Sequence, residues 1–266
     1  MSGFQSWDSF ESFSISIREK SRFCLDPAAG EFLEIVLITS LQRKLTAPKG
    51  AIYWRARKGY TLGHKLPPSD DLPVLLPYPK DGMKPLSKSS SEGRCAPKGM
   101  PPCLYAADDA KTAISELRPS IGDYVSVAEV ELSRDVLLVD CTGYESDDYV
   151  HYEHELSPEE RENAVWAAIG RAFSIPINPE DSTKDYIPTQ AIAESLRIAG
   201  FDGVIYRSRL GKGLNLALFD VDTVQVGKPT LHRIENLDYQ FCDVTEDGVP
   251  ASKEYFTTRW QKAPND

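Results

Sequence analysis

An α+β fold with a small helical region ahead of it is predicted by three observations. Runs with strand character recur from Ala51 to Phe219 and are interspersed with only a few segments of helical spacing. Residues 1–47 instead carry apolar residues at helical spacing. The chain has 266 residues, 41% of them apolar and 26% charged, which is ordinary globular composition and enough length for a sizeable core without disulfides or structural metals. No internal repeat is visible.

Taken in order, Phe10 and Phe13, then Phe32, Ile35, Val36 and Thr39 beside Leu33, Leu37 and Leu41, put apolar groups around much of a helical circumference, so this region is buried on more than one side. Pro48-Lys49-Gly50 breaks it, and Ala51-Ile52-Tyr53-Trp54-Arg55 reads as a strand. From Lys65 to Lys98 the composition turns to Pro, Ser, Lys and Gly. So long a loop in a compact domain reads as a lid or active-site loop, with a plain disordered insert as the alternative. Cys103 to Ala106 form a short strand, and Asp108 and Asp109 cap a helix through Ala113 and Glu116. Tyr124 to Val130 alternates as a strand with one wet face, and Val136 to Val139 make another. Ser157-Pro158-Glu159-Glu160 is a capping box with proline at the first helical position, launching a helix through Ala164, Val165, Ala168, Ile169 and Phe173. A further helix from about Thr189 to Ala199 is closed by Gly200. Gly203 to Tyr206 and Leu214 to Phe219 are strands around the Gly211-Lys212-Gly213 turn. Beyond Gly227, Tyr239, Phe241 and Phe256 stand among acidic residues in no pattern that fixes a role.

Lys and Arg number 30 and Asp and Glu 40, giving a net charge of −10. An acidic body repels phosphate backbones, which speaks against direct nucleic-acid binding. No apolar stretch is long enough for a membrane span, and the first residues, Met-Ser-Gly-Phe-Gln-Ser-Trp-Asp, lack a basic and then apolar signal pattern, so the expected setting is the cytoplasm. The five cysteines (Cys24, Cys95, Cys103, Cys141, Cys242) are widely spaced with no C-x-x-C pair; Cys103 and Cys141 read as small core residues. His151 and His154 lack the i, i+4 spacing of a zinc helix, so no metal is expected.

Generic motifs are missing: there is no Walker sequence, no glycine-rich dinucleotide fingerprint and no G-x-S-x-G elbow. Four segments beside strands stand out instead. They are Tyr53-Trp54-Arg55-Ala56-Arg57; Gly93-Arg94-Cys95-Ala96-Pro97-Lys98 continuing to Cys103-Leu104-Tyr105-Ala106; Lys111-Thr112-Ala113-Ile114-Ser115-Glu116-Leu117-Arg118-Pro119; and Tyr186-Ile187-Pro188-Thr189-Gln190, leading to Gly200-Phe201-Asp202-Gly203-Val204-Ile205-Tyr206-Arg207-Ser208. In this order they closely resemble the RES family, named for its Arg, Glu and Ser, across residues 50–220. The region before them looks like the helical region, sometimes described as HEPN-like, that accompanies a subgroup of RES proteins.

The resemblance implies a bent, split β-core like that of bacterial ADP-ribosyltransferase toxins around an NAD cleft. It divides the chain into an N-terminal helical region (1–48), a catalytic NAD-binding domain (49–228) and a C-terminal extension (229–266). It further implies an enzyme that consumes NAD+, with inorganic phosphate as co-substrate where the products are nicotinamide and ADP-ribose 1″-phosphate. The family's members act as toxins and are usually neutralised by an Xre-type antitoxin; a homo-oligomer or another regulator is left open. Carried over by motif, the catalytic residues are Arg55, Glu116 and Ser208, with Arg55, Arg94, Tyr105, Tyr186 and Gln190 lining the NAD cleft. Ala96 stands where many members have Asn, which removes any contact that Asn makes.

These residue types suit the reaction. The pyridinium of NAD+ leaves as a neutral base, so no general acid is needed, and a carboxylate such as Glu116 stabilises the oxocarbenium-like ribose. Forked guanidinium groups match a pyrophosphate, Tyr105 offers a flat face for nicotinamide, and Ser208 can meet a phosphate or the carboxamide. Read alone, each has an ordinary explanation: Arg55 in a surface ion pair, Glu116 on a solvated helix, Tyr105 in a core, Ser208 in a turn. Hydrolysis of NAD+, mono-ADP-ribosyl transfer to a protein and a catalytically silent binding protein are the alternatives. Ile114, two residues before Glu116, speaks mildly against arginine modification. A helical nuclease using Arg57 and His64 is disfavoured by the intervening glycines and the acidic charge.

Overall fold

The computed structural model describes residues 3–64, 73–85, 92–143, 155–175 and 183–238. Helices α1 (Ser9–Glu19) and α2 (Pro27–Ser40) come first. Asp26 starts α2 by accepting from the Ala29 N–H at 2.8 Å, and the same carboxylate takes the Ser16 hydroxyl at 2.6 Å and Lys20 Nζ at 3.0 Å, tying the two helices together. Phe13 stacks on Phe32 with ring centroids 4.4 Å apart. The helical expectation for residues 1–47 holds through Ser40, but Lys44–Ala47 form strand β1, whose backbone pairs along β7 (Val136–Asp140) from Lys44↔Val139 to Ala47↔Val136. The sheet edge supplies hydrogen bonds that local spacing does not reveal.

The remaining elements are β2 (Ile52–Lys58), β3 (Thr61–His64), β4 (Pro73–Leu76), α3 (Lys80–Met83), β5 (Leu104–Ala107), α4 (Ala110–Ser115), β6 (Tyr124–Leu132), α5 (Pro158–Ser174), α6 (Ile187–Ile198), β8 (Gly203–Arg207), β9 (Leu214–Leu218), β10 (Val224–Val226) and β11 (Thr230–Arg233). The capping box of α5 is formed in both directions: the Glu160 N–H donates to Ser157 Oγ at 3.3 Å, and the Ser157 N–H to Glu160 Oε2 at 2.8 Å. Gly200 closes α6 at φ 89°. Part of the Lys65–Lys98 loop is regular: β4 pairs with β3 as a hairpin, and α3 follows.

One nine-stranded sheet runs β1-β7-β8-β9-β5-β2-β6-β10, with β11 also on β6. Only β7 and β8 are parallel, and α5 and α6 lie in the long connection that this requires. Side chains alternate between two cores. Val139, Val204, Tyr206 and Ala217 face α1, α2, α5 and α6. Leu138, Ile205, Leu216 and Leu218 meet Val130, Leu132 and Val224 from the far end of the strand order. Strands so distant in the order share a core only if the sheet folds back on itself. The fold happens where pairing thins: β2 and β6 pair over seven residues, while β2 and β5 share the single pair Trp54↔Ala107. This is the bent, split β-core that the family resemblance implies. The one-wet-face reading of β6 is corrected, because Val125, Ser126, Val127 and Ala128 are all buried. On the face expected to be wet, Ser126 Oγ donates to Gly59 O at 2.8 Å and accepts the Tyr78 N–H at 3.0 Å, so chain from outside the sheet covers it there, and exposure returns only at Glu129 and Glu131.

Among the described residues no helix is long and apolar enough to cross a membrane, and no group of His, Cys, Asp or Glu is placed to hold a metal. His151, His154, Cys242, Tyr239, Phe241 and Phe256 lie outside the described residues.

Candidate active site

The site forms at the split. Arg55 projects from β2, where its Nε donates to Met83 O and its NH1 to Tyr105 O at 2.7 Å, so one guanidinium clasps α3 and β5 across the gap. Arg57, two residues on, donates to Gly82 O and lies 4.4 Å over the Tyr78 ring. Among the described residues no carboxylate pairs with Arg55, Arg57 or Arg94. Burial, and then the neighbouring Arg57 charge, pull Arg55 down to about 10, so it stays charged at neutral pH. Because Arg57 lies on β2 and His64 on β3, the pair shares no helix face.

Arg94 sits in a tight turn, Gly93 to Ala96, that is held at several points. Gly93 and Ala96 exchange backbone hydrogen bonds at 3.0 and 3.3 Å. The Cys95 N–H donates to the Tyr105 hydroxyl at 3.0 Å, and Arg94 NH1 donates to Ala172 O of α5 at 3.1 Å. A Cβ on Gly93 would stand 2.9 Å from the Tyr105 hydroxyl, so this turn needs glycine there. Tyr105 thus positions both arginines, Arg55 through its carbonyl and the Arg94 turn through its hydroxyl. Gln190, expected to line the cleft, is completely buried, and its Nε2 donates to Gly93 O at 2.9 Å and Glu92 Oε1 at 3.3 Å. It holds the turn with both of its amide hydrogens. Tyr186 is the half-buried residue before α6, and its carbonyl accepts the Thr189 hydroxyl at 3.0 Å.

Glu116 follows α4, whose start is capped by Asp109 accepting the Thr112 N–H at 2.8 Å. Its Oε1 accepts from Ser208 Oγ at 2.6 Å and Asn215 Nδ2 at 2.7 Å, and among the described residues its Oε2 has no hydrogen-bond partner. Ser208 Oγ in turn accepts the N–H groups of Leu210 at 3.1 Å and Gly211 at 2.9 Å. The hydroxyl expected to meet a phosphate or carboxamide is therefore fully engaged in fixing Glu116. Two residues after Glu116, Arg118 takes the left-handed φ of 44°, turning the chain away at once. Asn215 sits inside the apolar run Leu214 to Leu218, where a lone amide is its only signal in the sequence. Tyr206 stands opposite Asn215 in the β8–β9 ladder. Burial pushes its phenol up, Arg94 acts downward on it and Glu116 upward, so it lies within electrostatic reach of both.

A family model described as RES domain matches residues 76–241, more than half of the chain. The chain belongs to the RES domain family. The matched span includes Arg94, Tyr105, Glu116, Tyr186, Gln190 and Ser208, while Arg55 precedes it and is joined to the RES residues by its bond to Tyr105 O. A solved structure described as the M. tuberculosis MbcT–MbcA toxin–antitoxin complex is similar over 76% of this chain and 94% of that chain, at 16% identity and a TM-score of 0.39. Among curated proteins, none matches the chain.

Proposed function

We propose that this RES protein cleaves the nicotinamide–ribose bond of NAD+, with inorganic phosphate as the attacking group. The observation that carries the reading is a carboxylate with one oxygen fixed by two donors, and, among the described residues, a second oxygen without a partner and arginines that pair with no acid. In the reaction the bond from C1″ of the nicotinamide ribose to the pyridinium nitrogen breaks, its electron pair neutralises the ring, and a phosphate oxygen forms the new bond to C1″. Glu116 faces the developing positive charge with Oε2 and takes a ribose hydroxyl. Arg55 and Arg94 bind the pyrophosphate, and one of them holds the incoming phosphate. Ser208 and Asn215 keep the carboxylate in register, and Tyr105 does the same for the arginines. Sustained turnover would deplete NAD+, which is the toxin activity the family resemblance implies, and a protein partner of the antitoxin kind would restrain it. Water as the attacking group gives a glycohydrolase on the same residues. Transfer to a protein arginine is disfavoured by Ile114, which offers no polar group two residues before Glu116.

Mass spectrometry of the purified protein with NAD+, with and without phosphate, tests this. Nicotinamide and a phosphorylated ADP-ribose formed only with phosphate are expected. Free ADP-ribose in both samples would make it a glycohydrolase, and intact NAD+ in both would sink the reading. Glu116→Gln should reduce turnover by about 100-fold or more, the order seen when one transition-state electrostatic contact is removed. Arg55→Ala should act mainly on NAD+ affinity, read by calorimetry.

A further inference from the structure

Arg22 lies in the connection between α1 and α2, ahead of every RES motif in the sequence. The end of α1 is anchored beside α6 by Arg18, whose NH1 meets Asp185 Oδ1 at 3.1 Å. From there Arg22 NH2 donates to Gln190 Oε1 at 3.3 Å. The other end of the same amide donates to Gly93 O and Glu92 Oε1. Reversing the amide would set its NH2 against a guanidinium, and its oxygen against a carbonyl and a carboxylate, so Arg22 on one side and the turn on the other enforce a single orientation. No other described side chain donates to Oε1.

We propose that Arg22 is a positioning residue for the active site: it orients Gln190, which holds the Gly93–Ala96 turn and so aims Arg94. The helical region is then a working part of the NAD+ site. The consequence for NAD+ rests on the function proposed above, whereas the positioning itself does not.

The test uses the full chain with Arg22→Ala, Arg22→Lys, Gln190→Ala and the Arg22→Ala/Gln190→Ala double variant, each checked for an unchanged melting transition in its β-core. In the free protein, Arg22→Ala should speed amide exchange at Cys95 and Ala96 by about tenfold, the scale of one charge-assisted hydrogen bond. With NAD+, it should raise KM by about the same factor and leave kcat nearly unchanged. Arg22→Lys should recover part of both effects, and Arg22→Ala should add nothing in the Gln190→Ala background. Wild-type exchange at Cys95 and Ala96 in Arg22→Ala, or effects of the two substitutions that multiply, would overturn the proposal. Faster exchange with an unaltered KM would overturn the link to Arg94. If the wild-type protein neither binds nor consumes NAD+, the function reading fails, and the exchange measurement still decides the positioning role.

Discussion

Both donors to Glu116, Ser208 Oγ and Asn215 Nδ2, converge on Oε1, so they fix the carboxylate without engaging Oε2. A buried hydrogen bond to a charged group contributes about 1.5–3 kcal/mol, so Asn215→Ala should lower kcat by roughly 10- to 100-fold while KM changes little. Asn215→Asp should be worse than alanine, because it sets a second carboxylate against Glu116. Since Ser208 and Asn215 hold the same oxygen, the Ser208→Ala/Asn215→Ala pair should cost less than the product of the single losses, measured by a steady-state double-mutant cycle. An Asn215→Ala enzyme with wild-type kcat would refute the assignment. Arg94, Glu116 and Ser208 are legible in the sequence because they sit in segments whose order carries the family pattern. Asn215 is not, because it lies outside those segments in an apolar strand, and Tyr206, though inside one, reads as an ordinary apolar strand residue. Only three-dimensional pairing turns two strand residues into the surroundings of a carboxylate.

The Gly211-Lys212-Gly213 turn shows how one element sets the position of another. It folds against the start of α4, where the Gly213 N–H donates to Thr112 Oγ1 at 3.2 Å and the Leu214 N–H donates to Asp108 Oδ1 at 2.9 Å. The turn carrying Ser208 is thereby locked to the helix carrying Glu116. A Cβ at Gly213 would stand 2.1 Å from Asp108 Oδ1 and 2.5 Å from Asp109 Oδ2, the latter belonging to the residue that caps α4. Gly213→Ala should cost about 1–3 kcal/mol, seen as a melting temperature lower by roughly 2–4 °C per kcal/mol, and should reduce kcat as Ser208 shifts. Gly30, inside α2 with nothing within 4 Å of its would-be Cβ, should respond in the opposite sense, Gly30→Ala raising stability by up to about 1 kcal/mol. Equal shifts for the two would show that close approach, and not loss of glycine alone, had been misjudged. Helices with local start and stop chemistry, such as α5 with its capping box and α6 with Gly200, are readable from sequence. Strand β1 and the β3–β4 hairpin are not: the partner of β1 is the distant β7, and the prolines and glycines around the hairpin resemble loop composition.

At the scale of the whole molecule, the order of the strands and the fold-back of the sheet are set by long-range pairing that no local pattern encodes. The bent core was foreseeable only through the family resemblance. What joins its parts is partly ionic, and that gives the molecule a defined response to acid. Asp26 is held well below the ordinary aspartate value of 3.8, first by the Ser16 hydroxyl, then by the Ala29 N–H and Lys20, and it links α1 to α2. Asp123 is lowered by Lys58 and the Ser120 N–H, linking the start of β6 to β2. Asp202 is lowered by Arg134 and the Leu137 N–H, linking β8 to β7. Each carboxylate has a folded-state pKa below its unfolded value, so the unfolded chain binds protons first as pH falls. The stability these groups contribute is fully present above the unfolded value and is lost progressively below it. The melting temperature should therefore be level from neutral pH to about pH 5 and fall steeply below about pH 4. Asp26→Asn should flatten the acid limb, and because its bonds join helices rather than strands, it should loosen the helical region before the sheet. Circular dichroism melts at stepped pH, with Phe13 and Phe32 signals followed by NMR, would show whether the aromatic stack between α1 and α2 yields first. A sheet that melts before that stack would contradict the assignment of Asp26 as the joint.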